Sequence, residues 1–121
     1  MKTLTLAQEI NQLHANICAA LADSNRILLL YLLAEGPSNV TSLVEKLALP
    51  QPTVSRHLKV LRERGLVHAE REGQSVYYTL VDERVIKALD LLRTVLADRL
   101  AQQASLVTQA RQDFTTNEIQ Y

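Results

Sequence analysis

The most informative segment of the sequence runs from Leu49 to Leu66 and reads Leu-Pro-Gln-Pro-Thr-Val-Ser-Arg-His-Leu-Lys-Val-Leu-Arg-Glu-Arg-Gly-Leu. Pro52 suits the first position of a helix, where no backbone N–H is needed, and Gly65 suits the left-handed residue that often ends one. Between them, the apolar residues at helical spacing are Val54, Leu58, Leu61 and, to one side, Val60. The segment therefore predicts a short amphipathic helix.

The opposite face of this helix has hydrogen-bonding groups near its start and cations further along: Gln51, Thr53, Ser55, Arg56, Lys59 and Arg62. A core helix with a solvated face has this pattern, and so does a helix that lies in a DNA major groove. Arg pairs bidentately with guanine and Gln with adenine, while Lys59 and Arg62 suit phosphate. The rest of the chain must decide between the two interpretations.

Length and composition indicate one compact, mainly helical domain. The chain has 121 residues, of which 47% are hydrophobic and only 4% aromatic, so the core must be aliphatic. Its formal net charge is zero, which does not by itself indicate nucleic-acid binding. However, residues 51–75 hold five cations against three anions, and the segments on either side are slightly acidic. The charge distribution gives a basic centre without a basic protein.

Cysteine usage and hydropathy favour a cytoplasmic location. The single cysteine, Cys18, excludes an intrachain disulfide framework and suggests a reducing compartment. The longest dense apolar run, residues 27–34, is far shorter than the roughly 20 residues of a membrane span, and the N-terminus lacks a signal-peptide pattern. We therefore expect no membrane partner.

Two helices are predicted before residue 35. The first begins after Thr3 or Thr5 and ends near Ala22, and Asp23 or Ser24 caps the second, over residues 25–34. The second helix is apolar almost all round, which indicates a central place in the core.

The middle of the chain predicts a helix-turn-helix followed by a hairpin. A helix over about residues 40–47, capped by Asn39 or Ser38, and the helix described first give a helix-turn-helix over residues 39–64. Gly73, between two β-prone runs, predicts a two-stranded hairpin over residues 66–80. Its tip would project from the helical core as a wing.

The last helix, capped by Asp82, is predicted to cover residues 83–114 and to be followed by a loose polar tail at residues 115–121. A helix of about 30 residues reaches roughly 45 Å and overhangs a domain of this size. Its apolar stripe needs a partner, most simply a second copy in a two-fold dimer, to which residues 1–22 also contribute. The expected interface residues are Leu6, Ile10, Leu13, Ile17, Leu89, Leu92, Leu96 and Leu100.

Five short motifs together resemble the winged helix-turn-helix repressors of the ArsR/SmtB family, in the family's order and spacing. They are residues 21–26, 32–36, 51–61, 65–67 and 71–80, and they span about half the chain. The resemblance implies a homodimer that binds a palindromic operator in double-stranded DNA and releases it when an inducer binds. The expected DNA contacts are Gln51, Pro52, Thr53, Ser55, Arg56 and Lys59 in the helix, and Arg71 and Gln74 in the wing.

The chain departs from this family at both of its usual metal sites. The family's thiolate site has two cysteines around one residue where this chain has Asn39 and Thr41. Its other site uses histidines near and along the last helix, and here Asp82 remains but those positions are Arg84 and Val95. These side chains do not suit a soft metal. We therefore expect no metal or other cofactor at these sites, and the inducer stays unidentified.

Three other side chains have alternative interpretations. His14 and Cys18, four residues apart in the first helix, could hold a metal or sense oxidants when two copies meet. The alternative is a cysteine packed as a small hydrophobe beside a histidine at the interface edge. His57 is expected to be a structural histidine rather than a DNA contact.

Two other classes of function fit the sequence less well. A winged-helix module that binds protein instead of DNA would present an apolar or acidic helix face, and this one is polar and cationic. An enzyme would need a phosphate-binding glycine loop or a nucleophile with its base. The sequence has no such loop, and its only candidate pair, Cys18 with His14, lies on a helix expected to be buried at a dimer interface.

Overall fold

A computed structural model describes the backbone of residues 3–119 and the side chains of residues 3–114. The elements follow one another as α1 (Leu6–Leu13), a π-helical turn (His14–Cys18), α2 (Ala19–Leu21), α3 (Ser24–Ala34), β1 (Ser38–Asn39), α4 (Val40–Leu47), α5 (Gln51–Glu63), β2 (Val67–Glu72), β3 (Ser75–Leu80) and α6 (Arg84–Ile119). The chain divides into two compact units, residues 1–86 and 87–121.

The first helix begins as expected and then departs from a regular α-helix. Thr5 accepts a hydrogen bond from the Gln8 backbone N–H at 3.2 Å, and the Gln8 side chain accepts one from the Thr5 N–H at 3.0 Å, which completes a capping box. The helical structure continues to Leu21, close to the predicted end near Ala22, but His14–Cys18 form a π-helical turn that the sequence did not predict. Within this turn the Asn16 side chain donates to the Gln12 carbonyl at 2.9 Å.

Asp23 starts helix α3 at the position predicted by its sequence. Its carboxylate accepts from the backbone N–H groups of Asn25 and Arg26, at 2.8 and 3.3 Å. Partial burial opposes the charged form of Asp23, but these two hydrogen bonds and the charges of His57 and Arg26 lower the pKa of Asp23 below its ordinary value. The carboxylate therefore stabilises the helix start in its ionised form.

The two helices of the helix-turn-helix are confirmed, with the second starting one residue earlier than predicted. Asn39 caps α4 by accepting from the Ser42 N–H at 2.9 Å, and Ala48, with φ of 55°, ends it. Helix α5 then begins at Gln51, so Pro52 is its second residue. Its end carries the predicted left-handed glycine: Gly65 has φ of 74°, and the following Leu66 N–H donates to the Leu61 carbonyl at 2.9 Å.

The core of the first unit is aliphatic, as the composition required. Its largest fully buried side chains are Leu29, Leu30, Leu43, Leu58, Leu61 and Val54, from helices α3, α4 and α5. Helix α5 packs on this core through Val54, Leu58 and Leu61, and its opposite side is exposed.

The predicted two-stranded hairpin is present but belongs to a three-stranded antiparallel sheet of order β1-β3-β2. The additional strand is Ser38–Asn39, whose residues pair with Tyr78 and Tyr77. This short strand covers the edge of β3 that a hairpin alone would leave open, and it connects the wing directly to the start of α4.

Helix α6 is longer than predicted. It has 36 residues and continues to Ile119, through most of the segment expected to be a loose tail, and residues 120–121 lie outside the described part of the chain. At 1.5 Å per residue, it is about 54 Å long. Asp82 accepts from the Arg84 N–H at 2.9 Å and so caps its first turn.

Most of the residues expected at a dimer interface are exposed in the single chain. Leu6, Ile10 and Leu13 are 46–72% exposed, and Leu92, Leu96 and Leu100 are 54–63% exposed. Ile17 is half-buried. Leu89 differs, because it is only 6% exposed within the chain itself and so has little surface left for a partner.

Among the described residues, no single helix is long and apolar enough to cross a membrane; the pair formed by Leu6–Leu21 and Ser24–Ala34, which passes on length and composition, is bent by 83°.

Candidate DNA-binding surface

Helix α5 presents two different faces. Val54, Leu58 and Leu61 are fully buried and anchor it on the core. The exposed residues on the other side form what we call the reading face, which consists of Gln51, Pro52, Ser55, Arg56, Lys59, Arg62 and Glu63. Thr53, which was also expected to contact DNA, is half-buried beside this face. One helix thus carries most of the predicted contacts on a continuous exposed surface.

The reading face is polar and has a net positive charge. It holds the cations Arg56, Lys59 and Arg62 and a single anion, Glu63. The Glu63 carboxylate lies 4.0 Å from the Lys59 ammonium group, with both side chains more than half exposed, so this ion pair is weak and screened by solvent. Such a face can donate hydrogen bonds to base edges and attract phosphate groups.

The wing exposes the two other residues expected to contact DNA. Arg71, near the end of β2, and Gln74, in the turn between β2 and β3, are both exposed. Gly73 has φ of 63°, a conformation that glycine adopts without strain, and it allows the strands to pair from Glu72 with Ser75 to Val67 with Leu80. The glycine thus keeps the turn tight and brings Arg71 to the end of the hairpin.

His57 is buried behind the reading face, as expected for a structural histidine. Its side chain meets the Arg26 guanidinium at 3.4 Å and the Asp23 carboxylate at 3.9 Å. The same guanidinium donates to the backbone carbonyls of Ala20 and Ala19, at 2.6 and 3.2 Å. Arg26 therefore joins α2 to the middle of α5.

A second connection to α5 has no counterpart among the residues singled out from the sequence. Arg64, at the end of α5, donates to the side-chain oxygen of Asn16 at 3.0 Å. The two residues are 48 positions apart. Neither residue belongs to a recognisable motif, so only the folded structure could reveal this contact.

The side chains at the positions of the family's metal sites have other partners here. Asn39 caps α4, and both oxygens of Asp82 accept hydrogen bonds from the Arg84 guanidinium, at 2.6 to 3.1 Å. The hydrogen bonds and the charge of Asp82 raise the pKa of Arg84 above its ordinary value. A guanidinium in this place neutralises the carboxylate that a metal would need.

His14 and Cys18 are both exposed and both lie in the π-helical turn. Within the described residues, no group of three or more His, Cys, Asp or Glu side chains is arranged to hold a metal ion. A metal site built on this pair would need further ligands from outside the described residues, such as those of a second chain.

Comparisons with known proteins assign the fold and the family. The model of the bacterial regulatory protein arsR family matches residues 23–69. The HTH-type transcriptional regulator MJ1325 of Methanocaldococcus jannaschii is 40% identical over 64% of this chain and 89% of its own length. The HTH-type transcriptional repressor SmtB of Mycobacterium tuberculosis is 40% identical over 64% of this chain and 58% of its own length.

A solved structure gives the same assignment. The homodimeric winged helix-turn-helix DNA-binding domain Mb0332 of Mycobacterium bovis, a possible ArsR-family transcriptional regulator, superposes with a TM-score of 0.68 at 31% identity, over 83% of this chain and 94% of its own. These relatives are transcriptional regulators, not enzymes, and they do not favour the alternative of a protein-binding module. The chain is a winged helix-turn-helix protein and belongs to the ArsR family of bacterial regulatory proteins.

Proposed function

We propose that this chain is a DNA-binding transcriptional repressor that acts in the cytoplasm as a two-fold homodimer. The observation that carries the proposal is the reading face of α5, which is exposed, polar and net cationic while the opposite side of the helix is buried in the core. Each subunit would insert this helix into a major groove, with Gln51, Ser55 and Arg56 directed at bases and Lys59 at phosphate.

The wing would add contacts outside the major groove. Arg71 and Gln74 are exposed at the end of the hairpin, where they can reach the phosphate backbone or the minor groove of DNA. Arg71 has acidic neighbours on both sides, Glu70 and Glu72. We therefore assign to the wing a single phosphate contact per subunit rather than a strongly cationic surface.

Dimerisation is supported by the apolar surfaces of α1 and α6 and by the printed description of Mb0332 as a homodimer. Leucine and isoleucine side chains that are about half exposed or more along both helices favour association with a second chain. A two-fold pair would place the two reading helices one DNA turn apart, about 34–36 Å, and would select an inverted repeat.

The inducer of this repressor is unidentified and does not use the family's usual metal sites. This part of the proposal rests on Asn39, Thr41 and Arg84, which stand where metal ligands would be needed. Addition of Zn²⁺ to the protein–DNA complex is expected to leave it intact. Release of DNA at one metal ion per subunit would contradict this part alone.

The test of the proposed function is selection of DNA by the intact protein from a random pool of duplexes. We expect enrichment of an inverted repeat, bound with an affinity that falls steeply as salt rises, because phosphate contacts release counterions. Failure to enrich any sequence, with the protein folded and dimeric, would contradict the proposal. A matched pool incubated with the reading-face variant Arg56→Ala should enrich a repeat whose preference is relaxed at one base position.

A further inference from the structure

The segment from Asn16 to Ala20 is connected to helix α5 at two separate points. At the first, the Arg64 guanidinium donates to the Asn16 side-chain oxygen at 3.0 Å. At the second, the Arg26 guanidinium donates to the Ala19 and Ala20 carbonyls and meets the buried His57 at 3.4 Å. Both connections lie within residues 3–86, which form part of one compact unit.

The π-helical turn orients the Asn16 side chain for this contact. The Asn16 amide nitrogen donates to the Gln12 carbonyl at 2.9 Å. This hydrogen bond directs the side-chain oxygen of Asn16 outwards, where it accepts from Arg64. One hydrogen bond uses the NH₂ group of the Asn16 amide and the other uses its oxygen, so both are satisfied by a single orientation of the amide. A π-helical turn inside an α-helix is also a feature found frequently at functional sites.

The two contacts on α5 lie on the same side of that helix, away from the reading face. His57 and Arg64 are seven residues apart, which is close to two full turns. Ser55, nine residues before Arg64, lies about 180° around the helix from it at roughly 100° per residue. Arg64 is therefore directed towards the N-terminal helix and not towards the DNA that the reading face would contact.

We propose that Asn16 and Arg64 are positioning residues for DNA recognition, which hold the end of α5 against the N-terminal helix. The inference rests on the proposed function, since it concerns how the reading helix is oriented. Arg26 fixes the middle of α5 through His57, and the Asn16–Arg64 hydrogen bond fixes its end.

The alternative role for Arg64 is direct contact with a DNA phosphate, and the two roles give opposite results. If Arg64 contacts a phosphate, replacing it lowers the dependence of affinity on salt by about one counterion, and replacing Asn16 has no effect on DNA binding. If Arg64 positions the helix, the salt dependence stays unchanged, and replacing Asn16 or replacing Arg64 causes the same loss of affinity.

The test is a double-mutant cycle with Asn16→Ala, Arg64→Ala and the double variant, each titrated against the inverted repeat that the wild-type protein selects. We expect either single change to weaken DNA binding about fivefold to tenfold, at the lower end of usual couplings between sites. The double variant should be no weaker than the single variants, and all four salt dependences should be equal. Asn11→Ala, an exposed asparagine on the same helix, is the matched control.

Several outcomes would overturn the inference. If Asn16→Ala bound DNA with the affinity of the wild-type protein, the hydrogen bond would not position the helix. A lower salt dependence confined to the Arg64 variants would assign Arg64 to phosphate. Lower thermal stability with unchanged affinity below the unfolding transition would indicate a role in folding only. If the wild-type protein itself selects no duplex, the proposed function fails, which is distinct from all of these results.

Discussion

Arg56 is the single residue on which sequence recognition is expected to depend most. Its guanidinium is exposed on the reading face and has no acidic neighbour within hydrogen-bonding distance among the described residues. If it pairs with guanine, Arg56→Ala should weaken binding to the selected repeat by about 1–3 kcal/mol and relax the preference at one base position. Fluorescence-anisotropy titration at fixed salt measures both effects.

A matched control for Arg56 is Lys87→Ala, which removes an exposed cation from α6 instead of α5. It should leave the affinity within the error of the titration. Unchanged affinity and sequence preference in Arg56→Ala would remove Arg56 from the DNA-binding site.

Asp23 is expected to contribute stability that depends on pH. As the N-cap of α3, its replacement by alanine should lower the free energy of unfolding by about 0.5–2 kcal/mol at neutral pH. The folded-state pKa of Asp23 lies below 3.8, its value without these interactions. This contribution is therefore complete above pH 3.8 and is lost as the pH falls through the folded-state pKa.

Urea unfolding of wild type and Asp23→Ala between pH 7 and pH 2 measures this difference. We expect the free energies of unfolding of the wild type and Asp23→Ala to converge only at the acid end of this pH range. A difference that stays constant to the lowest pH would show that the carboxylate charge does not stabilise α3.

The ends of the helices could be predicted from the sequence because the residues that cap them act locally. Thr5, Asp23, Asn39 and Gly65 start or end helices through hydrogen bonds to residues within a few positions, so their type and spacing carry the information. The Asn16–Arg64 hydrogen bond joins residues 48 positions apart and leaves no such local pattern.

At the scale of secondary-structure elements, the wing gives a prediction that distinguishes a phosphate contact from a base contact. Arg71→Ala should reduce the salt dependence of DNA binding by about one counterion per subunit and should leave the preferred sequence unchanged. Titrations at several salt concentrations, with the selected repeat and with a scrambled duplex, measure the two effects. Loss of preference for the repeat would instead assign Arg71 to base contacts.

The elements also show which long-range features the sequence could not reveal. Apolar periodicity and local caps located α4 and α5, and a cap followed by a run of apolar residues located α3. The strand Ser38–Asn39 was missed since it has only two residues, and it exists because β3 offers an open edge. The π-helical turn was missed because its residues keep an ordinary helical pattern.

Helix α6 shows the same limit at its end. Its polar residues after Phe114 have no apolar periodicity, which led to a predicted tail, yet the backbone remains helical to Ile119. Polar residues continue a helix when nothing in their sequence stops it, and this segment contains neither proline nor glycine.

At the scale of the whole molecule, a two-fold dimer on DNA would account for two features at once: the exposed apolar residues of α1 and α6, and the reading face of α5. The dimer would cover leucine side chains that a single chain leaves in water, and it would repeat the reading face about one DNA turn away. Affinity would then depend on the spacing between the two half-sites as well as on their sequence.

The most direct test of this account is therefore the affinity of the protein for its selected inverted repeat before and after about five base pairs are inserted between the half-sites. Such an insertion rotates one half-site by about half a turn, because B-DNA has about 10–10.5 base pairs per turn. We predict that affinity falls to the level of a single half-site. Equal affinity for the two duplexes would contradict a two-fold repressor that reads DNA through α5.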